Sequence, residues 1–261
     1  MTMFACPECE RPFAGGRCEC RRDWTETGGV PDLYVAAADR GELLGITGDI
    51  RTFYEDNPGP PWRPDDDDKS VARSGSADPL LASLDAELAP RARLLDLGCG
   101  GGAAACFLGL QGREVIGVDV AMTGLLRGEA FRRRLGLGSV SFVRGNLFRP
   151  PATPGSVDAV VLFHVLETTG AELPALKAAA RALRTGGRLA LRVATPYSTP
   201  PTPAPPQHHA SPPSELHRWL AEAGFILETP HSGRIVQELR ELRWKWFGAG
   251  PAEVALLARK G

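Results

Sequence analysis

The sequence predicts an α/β fold, a parallel sheet with helices on both faces, and three features point to it. From Arg91 onward, short apolar runs alternate with helical stretches. The run LLDLGCGGG (Leu94 to Gly102) reads as a buried strand that carries an acid, ends in a side-chain-free turn and opens a helix. A second acid, Asp119, closes the next strand 21 positions after Gly98, the spacing at which doubly wound sheets reach a ribose.

The chain has 261 residues, enough for one sizeable core and a small appendage. Hydrophobic content of 43% and charged content of 23% are those of an ordinary globular protein. A net charge of -1 gives no global pull toward nucleic acid or an anionic membrane. No apolar run approaches the ~20 residues of a membrane span. The start, MTMFACPEC, lacks a signal-peptide pattern, so a cytoplasmic protein is expected.

Three regions are expected: a cysteine-containing module over 1–38, a helical linker or lid over 39–90, and the α/β domain over 91–261. The linker contains IRTFYEDNPGPPW (Ile50 to Trp62), then DDDDK (Asp65 to Lys69), which reads as a solvated loop. Strands are expected at Arg93–Gly98, Glu114–Val120, Val140–Gly145, Val157–Leu166 and Arg188–Thr195. Helices are expected at Ala103–Leu110, Gly124–Gly136 and Leu173–Arg184, the last stopped by Gly186 and Gly187. The proline-rich stretch 196–213 cannot be regular helix or central strand. Ser214 then caps a helix ending at Gly224, FILETP forms a sixth strand, GRIVQELRELRWKWFG a further helix, and EVALLARK (Glu253 to Lys260) the last strand.

Gly98, Gly100 and Ala103 also satisfy the loose dinucleotide fingerprint, which alone would allow a nicotinamide cofactor. Asp96, just before the glycines, disfavours that reading: it would repel a pyrophosphate but suits the ammonium of an amino-acid cofactor. The third strand leads into GNLF, where the amide of Asn146 can read an adenine edge.

Taken in order, LLDLGCGGG, VIGVDVA, GNLFRP, DAVVLFHVLE and LRTGGRLAL resemble the motifs of class I S-adenosylmethionine-dependent methyltransferases, strongly over Arg91 to Thr195. The resemblance implies a Rossmann-like, seven-stranded sheet and S-adenosylmethionine as cofactor. It places Asp96 and the turn Gly98, Cys99, Gly100 to Gly102 at the methionine moiety. Asp119 would take the ribose hydroxyls, with Val120 beside the adenine and Asn146 and Leu147 against it. Phe163 and His164 would face the sulfonium and the acceptor. Many relatives have Asp at the position of Asn146. Cys99 reads as a small residue in a crowded turn and not as a nucleophile.

Cys6-x-x-Cys9, eight residues, then Cys18-x-Cys20 places four thiols in one short segment, a set that suits a structural zinc ion. So small a module has little core, and metal ligation would contribute much of its folding free energy. Together with Gly29-Val30-Pro31-Asp32-Leu33, the segment resembles the zinc ribbon of two methyltransferase groups. One methylates ribosomal RNA guanine. The other includes bacterial enzymes of small-molecule and secondary metabolism, which carry a FYE-then-proline segment over the cofactor pocket; here it reads FYEDNPGPPW (Phe53 to Trp62).

The second group makes Tyr54 a candidate for touching cofactor or substrate. Methyl transfer needs orientation and exclusion of water, worth about 7–11 kcal/mol of barrier. A hydroxyl or phenol acceptor also needs a base, and His164 is the best-placed one. His208 and His209 sit in a loop after the fifth strand and read as solvated. A small-molecule acceptor is therefore expected. RNA is the alternative, carried by the ribbon and by Arg234, Arg240, Arg243, Lys245, Trp244, Trp246 and Phe247, although the chain lacks a basic excess. A catalytically silent cofactor- or partner-binding protein is the third reading, and the intact Asp96, glycines and Asp119 argue against it.

Overall fold

A computed structural model describes residues 4–11, 18, 20, 22–196, 198–199, 202–206, 208–227 and 253–261. In chain order its elements are β1 (Thr25–Thr27), β2 (Val30–Asp32), α1 (Arg40–Leu43), α2 (Ile46–Asp56), α3 (Asp68–Ala77), α4 (Pro79–Glu87), β3 (Arg93–Leu97) and α5 (Ala103–Gly109). There follow β4 (Glu114–Asp119), α6 (Met122–Arg134), β5 (Val140–Arg144), β6 (Val157–Phe163), α7 (Leu166–Thr169), α8 (Glu172–Ala182), β7 (Leu183–Ala194), α9 (Pro213–Glu222), β8 (Phe225–Leu227) and β9 (Glu253–Lys260). No helix among the described residues is long and apolar enough to cross a membrane.

The strands form one sheet in the order β1-β2-β5-β4-β3-β6-β7-β9-β8. From β5 to β7 all pairings are parallel, and β9 runs antiparallel between β7 and β8. These seven strands realise the expected α/β sheet. Two more come from the N-terminal segment and extend the β5 edge. There Asp32 pairs with Arg144, whose Nη1 donates to Asp32 Oδ2 at 2.6 Å.

Alternation along the strands builds two cores. Leu94 and Leu95 are adjacent, point to opposite faces and are both wholly buried. Leu95, Leu97, Ile116 and Leu162 pack with Leu176 of α8 and Leu216 of α9. Leu94, Val115, Phe142 and Val161 pack with Val71, Leu84, Phe107 and Leu125 of α3, α4, α5 and α6. The chain winds from β3 through β4 to β5, then returns to the other side of β3 as β6. Such a reversal opens a crevice at the carboxyl ends of the two strands, where ligands of open α/β sheets bind.

The structure corrects several expected boundaries. β6 stops at Phe163 and not at Leu166, because His164 takes a left-handed backbone with φ 54° and α7 starts two residues later. α8 ends at Ala182, and Leu183 already pairs with Val157. Gly186 and Gly187 therefore lie inside β7, near a register shift against β6, and do not stop the helix. α9 begins at Pro213 with Pro212 as its cap, so Ser214 sits in the first turn; proline suits the first helical position because it has no N–H to satisfy. The acidic run is only partly loop. Asp67 caps α3, accepting from Ser70 N–H, while Ser70 Oγ accepts from Asp67 N–H. Of FILETP, residues 225–227 form β8. The rest of it and the expected helix GRIVQELRELRWKWFG lie outside the described residues.

One buried ion pair ties α4 to the sheet. Arg113, 1% exposed, pairs with Asp85 and also donates to the carbonyls of Asp85, Leu88 and Ala89 at the end of α4. Removing one partner leaves the other charge buried. Asp85→Ala is expected to cost about 3 kcal/mol of stability, read from the shift of its urea unfolding midpoint.

Candidate functional site

The turn after β3 is shaped by close backbone approach. Gly98 and Cys99 both donate their N–H to the carbonyl of Val118, at 2.7 and 3.1 Å. Gly98 has φ 73°, and a Cβ there would stand 2.3 Å from Val165. Gly102 has φ 80°, and a Cβ there would stand 2.2 Å from the Phe142 ring. Neither position admits a side chain, so the turn packs tightly on β4, β5 and the segment after β6.

A cavity of about 270 Å³ opens at this crevice. It is lined by Tyr54, Gly98, Gly100, Asp119, Val120, Asn146, Leu147, Phe163 and His164, together with Thr47, Ile50, Thr168 and Thr169. Of the residues singled out in the sequence for cofactor or catalysis, Asp96, Cys99, Gly101 and Gly102 do not line it. Asp96 is 4% exposed and accepts the N–H of Ala105, at the start of α5. Burial pushes its carboxyl up to about 7. Burial also pushes the Cys99 thiol well up, with Asp96 and Asp119 adding to the effect. A thiol so disposed is a poor nucleophile.

Asp119 sits at the end of β4 with both oxygens in use. Oδ2 accepts from Gly100 N–H at 2.8 Å and Oδ1 from Ala121 N–H at 2.9 Å. Its burial raises the carboxyl, against the pull of these hydrogen bonds. Each oxygen keeps a further lone pair toward the cavity side. Asn146 departs from expectation. Its Nδ2 donates both hydrogens, to Val35 O at 3.2 Å and Glu42 Oε1 at 2.7 Å, and its Oδ1 accepts from Phe148 N–H at 3.0 Å. The side-chain amide is committed to the N-terminal segment, so it does not offer its edge to an adenine.

Helix α2 covers the cavity, and a residue that the sequence reading passed over anchors it. Glu55 accepts from Met122 N–H at 2.7 Å, Thr123 N–H at 2.9 Å and Thr123 Oγ1 at 2.6 Å, capping α6 from outside. Burial alone would raise Glu55, but these bonds outweigh it and hold the carboxyl below its usual range. Only its place beside Tyr54 in the FYE segment hinted at this. Trp62 fastens the following loop: its Nε1 donates to Gly101 O at 2.9 Å, and its ring stacks on Phe131 at 3.7 Å. Tyr54 faces the cavity, and burial, then Asp119 and Glu167, raise its hydroxyl.

His164 stands across the cavity. Its Nδ1 lies 3.2 Å from Glu167 Oε1, and its Nε2 lies 3.5 Å from Glu253 Oε2. His208 and His209 do not line the cavity; His209 donates its backbone N–H to Glu167 O at 2.6 Å.

Residues 95–191 match the family described as "Methyltransferase domain". Over these residues, about a third of its length, the chain is similar to that family. Solved structures share its fold. A Burkholderia thailandensis 1,6-didemethyltoxoflavin-N1-methyltransferase matches over 91% of this chain and 94% of its own, at 20% identity and a TM-score of 0.57. That protein was solved with 1,6-didemethyltoxoflavin and S-adenosylhomocysteine bound. The [4+2]-cyclase SpnF matches over 87% of this chain and 98% of its own, at 19% identity and a TM-score of 0.58. A methyltransferase-like protein of Bacillus halodurans matches over 70% and 99%, at 19% identity and a TM-score of 0.54.

The chain also brings its four N-terminal cysteines together. The sulfurs of Cys6, Cys9, Cys18 and Cys20 all lie within 4.8 Å of one another, with Cys6–Cys20 at 3.8 Å and Cys9–Cys18 at 3.1 Å. Tetrahedral zinc with Zn–S near 2.3 Å sets sulfurs about 3.8 Å apart, so the donor set fits that ion. Without a metal the pair is split: the hydrogen bond with Cys18 draws the Cys9 thiol down to about 7, and burial pushes the Cys18 thiol up to about 12.

Asp96 gives the domain a pH signature. Its folded value near 7 lies above the ordinary 3.8, so the folded state holds the proton more tightly. That contribution to stability is present below about pH 4 and is lost as pH rises toward 7. Asp96→Asn, which keeps an acceptor for Ala105 N–H, is expected to melt above the wild type near pH 8 and together with it near pH 4. Differential scanning calorimetry of the ligand-free protein at both pH values checks this.

Proposed function

We propose that the protein transfers a methyl group from S-adenosylmethionine to a small-molecule acceptor bound in the crevice between β3 and β6. One observation carries the reading: the cavity is lined by the glycine turn and Asp119 together with Tyr54, His164, Thr168 and Thr169, with no Lys or Arg among its described lining residues. A phosphate-rich acceptor such as RNA would need cations there.

S-adenosylmethionine supplies an activated methyl carbon. The chain's own residues then bind and orient. The backbone of Gly98 to Gly102 takes the methionine end, and Asp119 accepts the ribose hydroxyls with its remaining lone pairs. Val120 and Leu147 flank the adenine, whose polar edge meets backbone groups near Asn146 in place of the side-chain amide. Phe163 and Tyr54 wall the reacting centre, while Glu55 and Trp62 hold α2 over it and keep water out. His164 serves as proton acceptor. The four cysteines hold a structural zinc ion outside the cavity.

Titration calorimetry of the full chain with S-adenosylhomocysteine tests the cofactor site. One-to-one binding is expected, weakened about 10–100-fold in Asp119→Ala, the loss of hydrogen bonds to a charged group. Absence of binding to the wild type overturns the reading. An RNA stem-loop offered at low salt is expected not to bind.

Metal analysis of the purified chain is expected to give about one zinc per molecule. Cys9→Ser or Cys18→Ser should lower that content and the melting temperature together. A metal-free wild type of full stability would dismiss the zinc site.

A further inference from the structure

His164 carries two signs of constraint. It is one of two non-glycine residues with positive φ among those described, at 54°. Such backbone is costly for a side-chain-bearing residue and persists only where surrounding contacts hold it. Here its N–H donates to Arg192 O at 2.8 Å, fixing the residue at the end of β6. The twist turns the imidazole toward α7, where Glu167 waits.

Glu167 is an unusual neighbour. Its residue is 2% exposed, yet its Oε2 has no hydrogen-bond partner among the described residues. Its Oε1 accepts from Ala194 N–H at 3.3 Å and meets His164 Nδ1 at 3.2 Å. The guanidinium of Arg192, on β7, is spent on Asp78, with both Nη atoms at 2.8 Å, and on Glu253. A buried carboxylate is costly without a cation or donor, and here the imidazole is its side-chain partner. On the other flank, Glu253 approaches Nε2 only to 3.5 Å, too long for a good hydrogen bond.

We propose that Glu167 is a positioning residue that holds His164 with its proton on Nδ1, leaving Nε2 bare to take a proton from the methyl acceptor. The proposal rests on the reading above and narrows the acceptor to a group that must lose a proton, a hydroxyl, a phenol or a ring N–H. A neutral imidazole has one donor and one acceptor nitrogen, so an Nδ1–H engaged by a carboxylate makes Nε2 the acceptor. In the transfer, the acceptor's O–H or N–H bond breaks and its proton moves to Nε2. The acceptor atom forms its bond to the methyl carbon, and the carbon–sulfur bond breaks with its electron pair going to sulfur. The imidazolium so formed lies between Glu167 and Glu253, which stabilise its charge.

The tautomer is directly observable by long-range proton–nitrogen correlation NMR of the ¹⁵N-labelled full chain in mildly alkaline buffer, with the His164→Gln spectrum identifying the His164 signals. The expected wild-type spectrum shows a protonated Nδ1 and a bare Nε2. Glu167→Gln, whose amide can meet Nδ1 as donor or acceptor, should lose this single-tautomer state. A wild-type His164 protonated on Nε2, or a tautomer unchanged in Glu167→Gln, overturns the proposal. Should Glu167→Gln fail to fold, the wild-type tautomer decides alone. The measurement needs no cofactor, so failure of S-adenosylhomocysteine to bind would sink the cofactor reading and leave this one to be judged separately.

Discussion

The reversal of winding between β3 and β6 is the constraint on which the rest depends. Two parallel strands that are neighbours in space send their chains away in opposite directions, so neither strand's own crossover closes the gap at their carboxyl ends. Whatever ends β3 and whatever ends β6 must therefore share one crevice. β3 ends in a turn that only glycine can make at Gly98 and Gly102. β6 ends in a histidine forced out of the strand. A backbone-lined cradle and a titratable side chain face each other because the topology leaves them nowhere else to go.

A shared scaffold does not settle a shared reaction. A ring-nitrogen methyltransferase and a [4+2]-cyclase both superpose on most of this chain at about one-fifth identity. What distinguishes such proteins lies in side chains around the crevice, not in the sheet beneath it. Here those side chains are Tyr54 from the covering helix and His164 with its buried carboxylate, set among threonines and apolar residues. The absence of cations among the described lining residues narrows the chemistry more than the fold does.

The sheet was legible because its signals are local. Apolar runs such as Leu94 to Leu97 and the glycines after them are visible within ten residues, and Asp119 at the end of the next strand follows from spacing. The errors at Ser214 and at Gly186–Gly187 were also local: each residue type fits a helix end, but a proline start and a strand pairing with Val157 prevailed. Partnerships across the fold were not legible. Asn146 meets Glu42, and Glu55 meets Thr123, over separations of 104 and 68 positions. Nothing in the sequence around Asn146 says that its amide hydrogens are already spent. Glu167 was read as part of a strand-end motif, and its pairing with His164 appears only once α7 folds back beneath the imidazole.

The bonds that commit Asn146 also bear on how this chain can be handled. Val35 and Glu42 hold its amide, Asp32 holds Arg144, and Arg144 Nε reaches the carbonyl of Val120 at 3.1 Å. Strand β2 also closes the open edge of β5. A shortened version that began just before α1 would bare that edge to other chains and strip Arg144 of its carboxylate beside the adenine wall. The cysteine-bearing segment is thus a poor place to trim, graft or fuse: although none of its described residues lines the crevice, it is the outer buttress of the loop on which the nucleoside half would rest.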